Sequence, residues 1–135
     1  MKKFSIIIFV IVVITTSISA SMVIDKSKDI ITEIGNAIKS GKAINVSKYF
    51  NSTLDLATPN NEGTYSKIQA ELILKDFFTK NPPTSFTLNH KGSSTDGSLY
   101  AIGTYVSNIG SYRTYFLLKK VSNNYLIQKL EFEIQ

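Results

Sequence analysis

From Ser85 to Ile134 the chain repeats one pattern four times, a run of alternating apolar and polar residues closed by a turn signal. The runs lie near Ser85 to Lys91, Leu99 to Ser107, Tyr112 to Val121 and Tyr125 to Ile134, separated by Asp96-Gly97, Ile109-Gly110 and Asn123-Asn124. Dipeptides of this kind suit the tight turns of hairpins. Strands joined by such short turns pair antiparallel, each with the next, because a parallel pair needs a crossover of a dozen or more residues. The last part of the chain therefore predicts a four-stranded antiparallel meander.

Such a sheet must cover one face, and the preceding residues supply the cover. Ser27 is an N-cap, after which Ile30, Ile31, Ile34, Ala37 and Ile38 fall on one helical face. Thr32, Glu33, Asn36 and Lys39 take the other side, and Gly41 stops the helix. A short helical turn is expected over Val46 to Phe50. Thr53 to Thr58 reads as a strand, residues 59–63 as a turn, and Thr64 and Tyr65 as a second short strand. Ser66 and Gln69 have capping-box spacing and open a second long helix, whose apolar arc is Ala70, Ile73, Leu74, Phe77 and Phe78. Asn81-Pro82-Pro83 ends it, since proline cannot continue the ladder. The expected class is α+β, a curved antiparallel sheet wrapped around helices in the order α-α-β-β-α-β-β-β-β. No repeat or linker divides residues 21–135, which read as one domain.

The first 20 residues have a different character. Lys2 and Lys3 precede an apolar run from Phe4 to Ile14, and Thr15 to Ser21 is small and polar. This is the make-up of a secretory signal, with cleavage expected after Ala20 or Ser21 and an exported, periplasmic or secreted product. The competing reading is a retained anchor, because no charge occurs between Phe4 and Ile24. If the leader is cleaved, no stable membrane anchor remains. The chain has no cysteine, which excludes disulfides, thiol chemistry and lipid attachment at a cysteine. The net charge of +5 includes the two leader lysines, and the rest is scattered. Nucleic acid is not an expected partner, since that needs a concentrated positive footprint.

Over Ser27 to Ile134 this order of elements resembles the nuclear transport factor 2-like fold, a cone of curved sheet around helices. With the leader, the size and the tyrosine-rich last strands, the chain also looks like an uncharacterised family of exported bacterial proteins of unknown function, mainly from Bacteroidetes. The fold resemblance implies isomerases, dehydratases, transport factors and association modules alike, so fold alone does not select among them. It also implies that an enzyme would place an acid, a tyrosine or a histidine inside the cone.

Two-residue turns at Ile109-Gly110 and Asn123-Asn124 would fix the register of the last three strands. One face then carries Tyr100, Ile102, Val106, Tyr115, Leu117, Leu126, Leu130, Phe132 and Ile134, which is the expected core face. Its polar members are Thr104, Arg113, Lys119 and Gln128, with no carboxylate, while Glu131 and Glu133 fall on the other face and read as solvated. Asp76 lies at the edge of its helix's arc. His90, the single histidine, has no acid at a telling spacing. No metal-ligand or nucleophile motif is present, so no catalytic residue, metal or cofactor is assigned.

The second face presents Leu99, Ala101, Tyr105, Tyr112, Phe116 and Leu118, more apolar than a solvated face should be. Either it is an interface, with Leu99, Tyr105, Tyr112, Phe116 and Leu118 meeting a second copy or a protein partner, or a bulge turns part of a strand over. The leading functional expectation is a non-enzymatic association module. The alternative is a binder of a small hydrophobic molecule in the cone, with Tyr100, Tyr115 and Gln128 as polar contacts, and an isomerase or dehydratase comes after both.

Overall fold

The computed structural model describes residues 26–135, so the expected leader, residues 1–20, lies outside the described residues. Three helices and six strands follow in the expected order: α1 (Lys26–Lys39), α2 (Ala43–Ser47), β1 (Phe50–Thr58), β2 (Asn61–Ser66), α3 (Lys67–Lys80), β3 (Pro83–Ser93), β4 (Leu99–Ser107), β5 (Gly110–Val121) and β6 (Asn124–Ile134).

The helices form where the apolar periodicity placed them. Ile31, Ile34, Ala37 and Ile38 are buried on α1, and Ala70, Leu74, Phe77 and Phe78 on α3. The Ser66 hydroxyl accepts from the Gln69 N–H while the Gln69 side chain accepts from the Ser66 N–H, a complete capping box. Gly41 ends the α1 region at φ +67°, and a Cβ there would lie 2.7 Å from Pro83 Cδ, so conformation and space both require glycine. The helical turn expected over Val46 to Phe50 sits earlier in the chain: α2 stops at Ser47 and Phe50 already opens β1.

The sheet order is β2-β1-β6-β5-β4-β3. Every neighbouring pair is antiparallel except β1 and β6, which run parallel, so the sheet is mixed rather than wholly antiparallel. The tight turns lie one residue before their expected places. Ser107 pairs with Gly110 around Asn108-Ile109, and Val121 pairs with Asn124 around Ser122-Asn123. Ser122 and Asn123 hold φ +49° and +68°, the paired positive values that a two-residue hairpin turn of matching twist needs.

These one-residue slips leave the faces of β4 and β5 matched as expected, but a bulge in β6 does not. Leu118 stands opposite Ile127 and Leu117 opposite Lys129, so Gln128 is an extra residue without a partner on β5. Beyond it every β6 side chain is turned over relative to an unbroken hairpin. Leu130 and Phe132 join Phe116 and Thr114 against the helices, and Tyr115 and Leu117 are left with Glu131 and Lys129 on the opposite side. β3 has two further irregularities, at Thr84 and Asn89.

The core face is therefore the reverse of the expected one on β4 and β5. Leu99, Ala101, Tyr105, Tyr112, Phe116 and Leu118 are buried with Ile127, Leu130 and Phe132 under the helices. Tyr100, Ile102, Val106, Tyr115 and Leu117 are half-buried on the face away from them. Exposed Ile134, also expected in the core, is not part of it.

Candidate functional site

Inside the cone, aromatic rings fill the space between α3 and the sheet. Phe77 lies 4.6 Å from Phe132 and 5.2 Å from Tyr112, centroid to centroid, and Phe78 stacks on Tyr105 at 5.8 Å. The two tyrosine hydroxyls meet at one residue. Tyr105 donates to the Asn81 backbone carbonyl and Tyr112 to the Asn81 side-chain oxygen, each at 2.5 Å. Asn81 reaches this position because it caps α3, its own N–H and side-chain amide both donating to the Phe77 carbonyl. Burial, and then the neighbouring Tyr112, push the Tyr105 phenol well above its ordinary range, so it stays neutral and serves as a donor.

Among the described residues no carboxylate, lysine, arginine or histidine is buried. The polar groups of the interior are hydroxyls and one amide. The Thr114 hydroxyl is the one buried side-chain polar atom among them without a hydrogen-bond partner. Asp76 is exposed, paired with Lys80 at 2.9 Å, and does not enter the cone. Among the described residues no group of three or more histidines or acids is placed to hold a metal.

The residues assigned to a pocket are not brought together inside the cone. Tyr100 and Tyr115 stand side by side on the outer sheet face, rings 6.5 Å apart and nearly parallel. Gln128 is the bulge residue and accepts from the Asn51 amide at 3.0 Å, tying β6 to β1. The five residues assigned to an outer interface, Leu99, Tyr105, Tyr112, Phe116 and Leu118, are at most 7% exposed and form the core instead. The cause is the Gln128 bulge, which gives Leu130 and Phe132 to the Phe116 side.

The outer face still carries an apolar stripe, made of the other set of residues. Tyr100 pairs across the strands with Leu117, and Ile102 with Tyr115. Val106 lies further along the same face of β4, beyond Thr104 and its partner Arg113. The Tyr100 hydroxyl lies 3.2 Å from His90 Nε2, and Gly92 makes room for it, since a Cβ there would stand 2.6 Å from that oxygen. Charges of both signs border the stripe. Arg113 pairs in register with Glu133, and Lys129 bonds Glu131 at 2.8 Å, which raises the lysine's affinity for its proton. The tyrosines and the alternating runs signalled this surface in sequence, but nothing local revealed which parity faced outward.

Residues 31–133 match the model of a family described as a domain of unknown function, DUF4783. No curated protein matches the chain. Among solved structures, a DUF4783 protein from Bacteroides ovatus is 31% identical with a TM-score of 0.72, over 76% of this chain and 93% of that one. A second, from Bacteroides uniformis, is 28% identical with a TM-score of 0.72, over 77% and 95%. A nuclear transport factor 2-like protein of unknown function from Cytophaga hutchinsonii shares the fold at a TM-score of 0.57 and 11% identity, over 81% and 89%.

Proposed function

The chain belongs to the DUF4783 family of domains of unknown function, a membership that brings no activity with it, and from its geometry we propose a non-enzymatic association module. The observation that carries this reading is the outer stripe of Tyr100, Ile102, Val106, Tyr115 and Leu117, set on a sheet face that none of the described helices covers. The occupant is a second copy of the chain. Arg113, Lys129, Glu131 and Glu133 put both signs of charge along one border, so two copies related by a two-fold axis can set unlike charges against each other. Tyrosine and arginine are also the residues that gather at the centres of protein interfaces. The composition of the first 20 residues supports a module that acts outside the cytoplasm.

A small molecule inside the cone fits this geometry less well. It would have to displace Tyr105, Phe116 and Phe132, each no more than 1% exposed. An acid–base enzyme of this fold would need a buried carboxylate, and the interior tyrosines offer only neutral hydroxyls.

Sedimentation of the wild-type chain and of Tyr115→Lys tests the proposal. The wild type is expected as a dimer, and the variant as a folded monomer. A wild type that stays monomeric at high concentration, or a Tyr115→Lys protein that still dimerises, overturns it.

A further inference from the structure

The helix layer has a second apolar surface, on the side away from the sheet. Ile44 on α2 is 61% exposed, and Ile68 and Leu72 on α3 are 73% and 61% exposed. Ile68 and Leu72 are four residues apart, hence one above the other on the helix. Ile44 and Leu72 both line a groove of about 450 Å³ between α2 and α3. α3 is thus apolar on two sides, one seated on the sheet and one turned to solvent, although a surface helix normally keeps a single apolar stripe.

Lysines dominate the charges around this patch. Lys42 and Lys75 line the same groove, Lys48 follows Ile44 by one turn, and Lys67 adjoins Ile68; all four are exposed. None of them takes part in an ion pair among the described residues. The acid within the groove, Glu71, accepts from the Ser47 hydroxyl at 2.7 Å and so joins α2 to α3. We propose that this face docks reversibly on an anionic phospholipid surface, with Ile44, Ile68 and Leu72 entering the acyl boundary and the lysines lying against the headgroups.

Composition separates this surface from the sheet face. Protein interfaces concentrate tyrosine and arginine and are poor in lysine. Among the described residues lining the groove there is neither aromatic ring nor arginine; its exposed apolar side chains are branched aliphatics flanked by lysines, whose long stems can lie along apolar matter while the ammonium stays in water. Aliphatic tips with a basic rim are the make-up of helices that lie in the bilayer interface. A second copy does not fit, because a two-fold contact would set these lysines against their own equivalents. No helix among the described residues is long and apolar enough to cross a membrane, so the contact is with the surface.

The chain has no tryptophan, which allows a site-specific probe in the full-length protein. Leu72→Trp puts an indole in the patch and Tyr115→Trp puts one on the sheet face, so any insertion of the leader itself moves neither. On adding vesicles of equimolar phosphatidylcholine and phosphatidylglycerol, Leu72→Trp is expected to shift to the blue and to be quenched by brominated acyl chains. Tyr115→Trp should not respond to the vesicles. Lys67→Glu with Lys75→Glu in the Leu72→Trp background should weaken partition by about tenfold or more, with circular dichroism unchanged. The proposal is overturned if the Leu72→Trp indole stays in water, or if phosphatidylcholine alone shifts it equally. A shift that grows with protein concentration in the absence of lipid also overturns it, in favour of a protein partner. None of these outcomes depends on the sheet-face association.

Discussion

The phenol of Tyr112 on β5 donates to the side-chain oxygen of Asn81, the residue that caps α3. With Tyr105 on the backbone carbonyl of the same residue, Asn81 becomes the point where the helix layer is fastened to the sheet. Asn81→Ala removes the acceptor for Tyr112 and the amide bond to the Phe77 carbonyl, leaving a buried hydroxyl unpaired. The expected cost is about 2–3 kcal/mol, read as a lower midpoint in urea with the fold retained.

Neighbouring residues on β5 should respond oppositely to the same change. Phe116→Lys buries an unpaired charge in the core and should prevent folding, whereas Tyr115→Lys should leave the fold standing. Ile34→Asp and Phe77→Asp belong with Phe116→Lys, because both sit at the centre of buried helical arcs. Circular dichroism of the purified variants decides it, and a folded Phe116→Lys protein would contradict the assignment of faces.

The bulge allows a sharper test. Deleting Gln128 removes the extra residue and leaves Ile127 and Lys129 consecutive opposite Leu118 and Leu117, so Leu130 and Phe132 should keep facing inward and the fold should be retained. Gln128→Ala keeps the extra residue and gives up only the bond from Asn51, at about 1 kcal/mol. A deletion variant that unfolds would contradict the assignment of Gln128 as the unpaired residue.

Alkaline pH should weaken the fold through Tyr105. Its ionisation is raised in the folded state, so the unfolded chain gives up this proton first, near pH 10. The contribution is complete below that value and declines as pH rises above it. Tyr105→Phe should lower stability at neutral pH by about 1 kcal/mol through the lost bond to Asn81, yet decline less steeply above pH 10. Urea midpoints for both proteins at pH 8 and at pH 11 measure the difference.

Element order was legible because it rests on local chemistry: the capping box at Ser66, the stop at Gly41, the prolines after Asn81 and the arcs through Ile34 and Leu74. The faces of β4 were not, because both parities are apolar. Leu99, Ala101 and Tyr105 compete with Tyr100, Ile102 and Val106, and alternation ranks neither. A bulge requires an unpaired residue but no particular residue type, so Gln128 left no local mark. The exposure of Ile68 and Leu72 was equally hidden, since an apolar residue on a helix does not announce whether anything covers it. The parallel pairing of β1 with β6 joins segments too distant for any local pattern to encode.

That parallel pairing sets a condition on how the chain matures. β6 lies between β1 and the rest of the meander, and among the described strands it is also the last in chain order. Until it emerges, the β1–β2 hairpin has no sheet to join and β5 has one edge open. β6 thus acts as the bolt of the described fold: the β1–β2 hairpin and the meander stay unlatched from each other until this strand is in place.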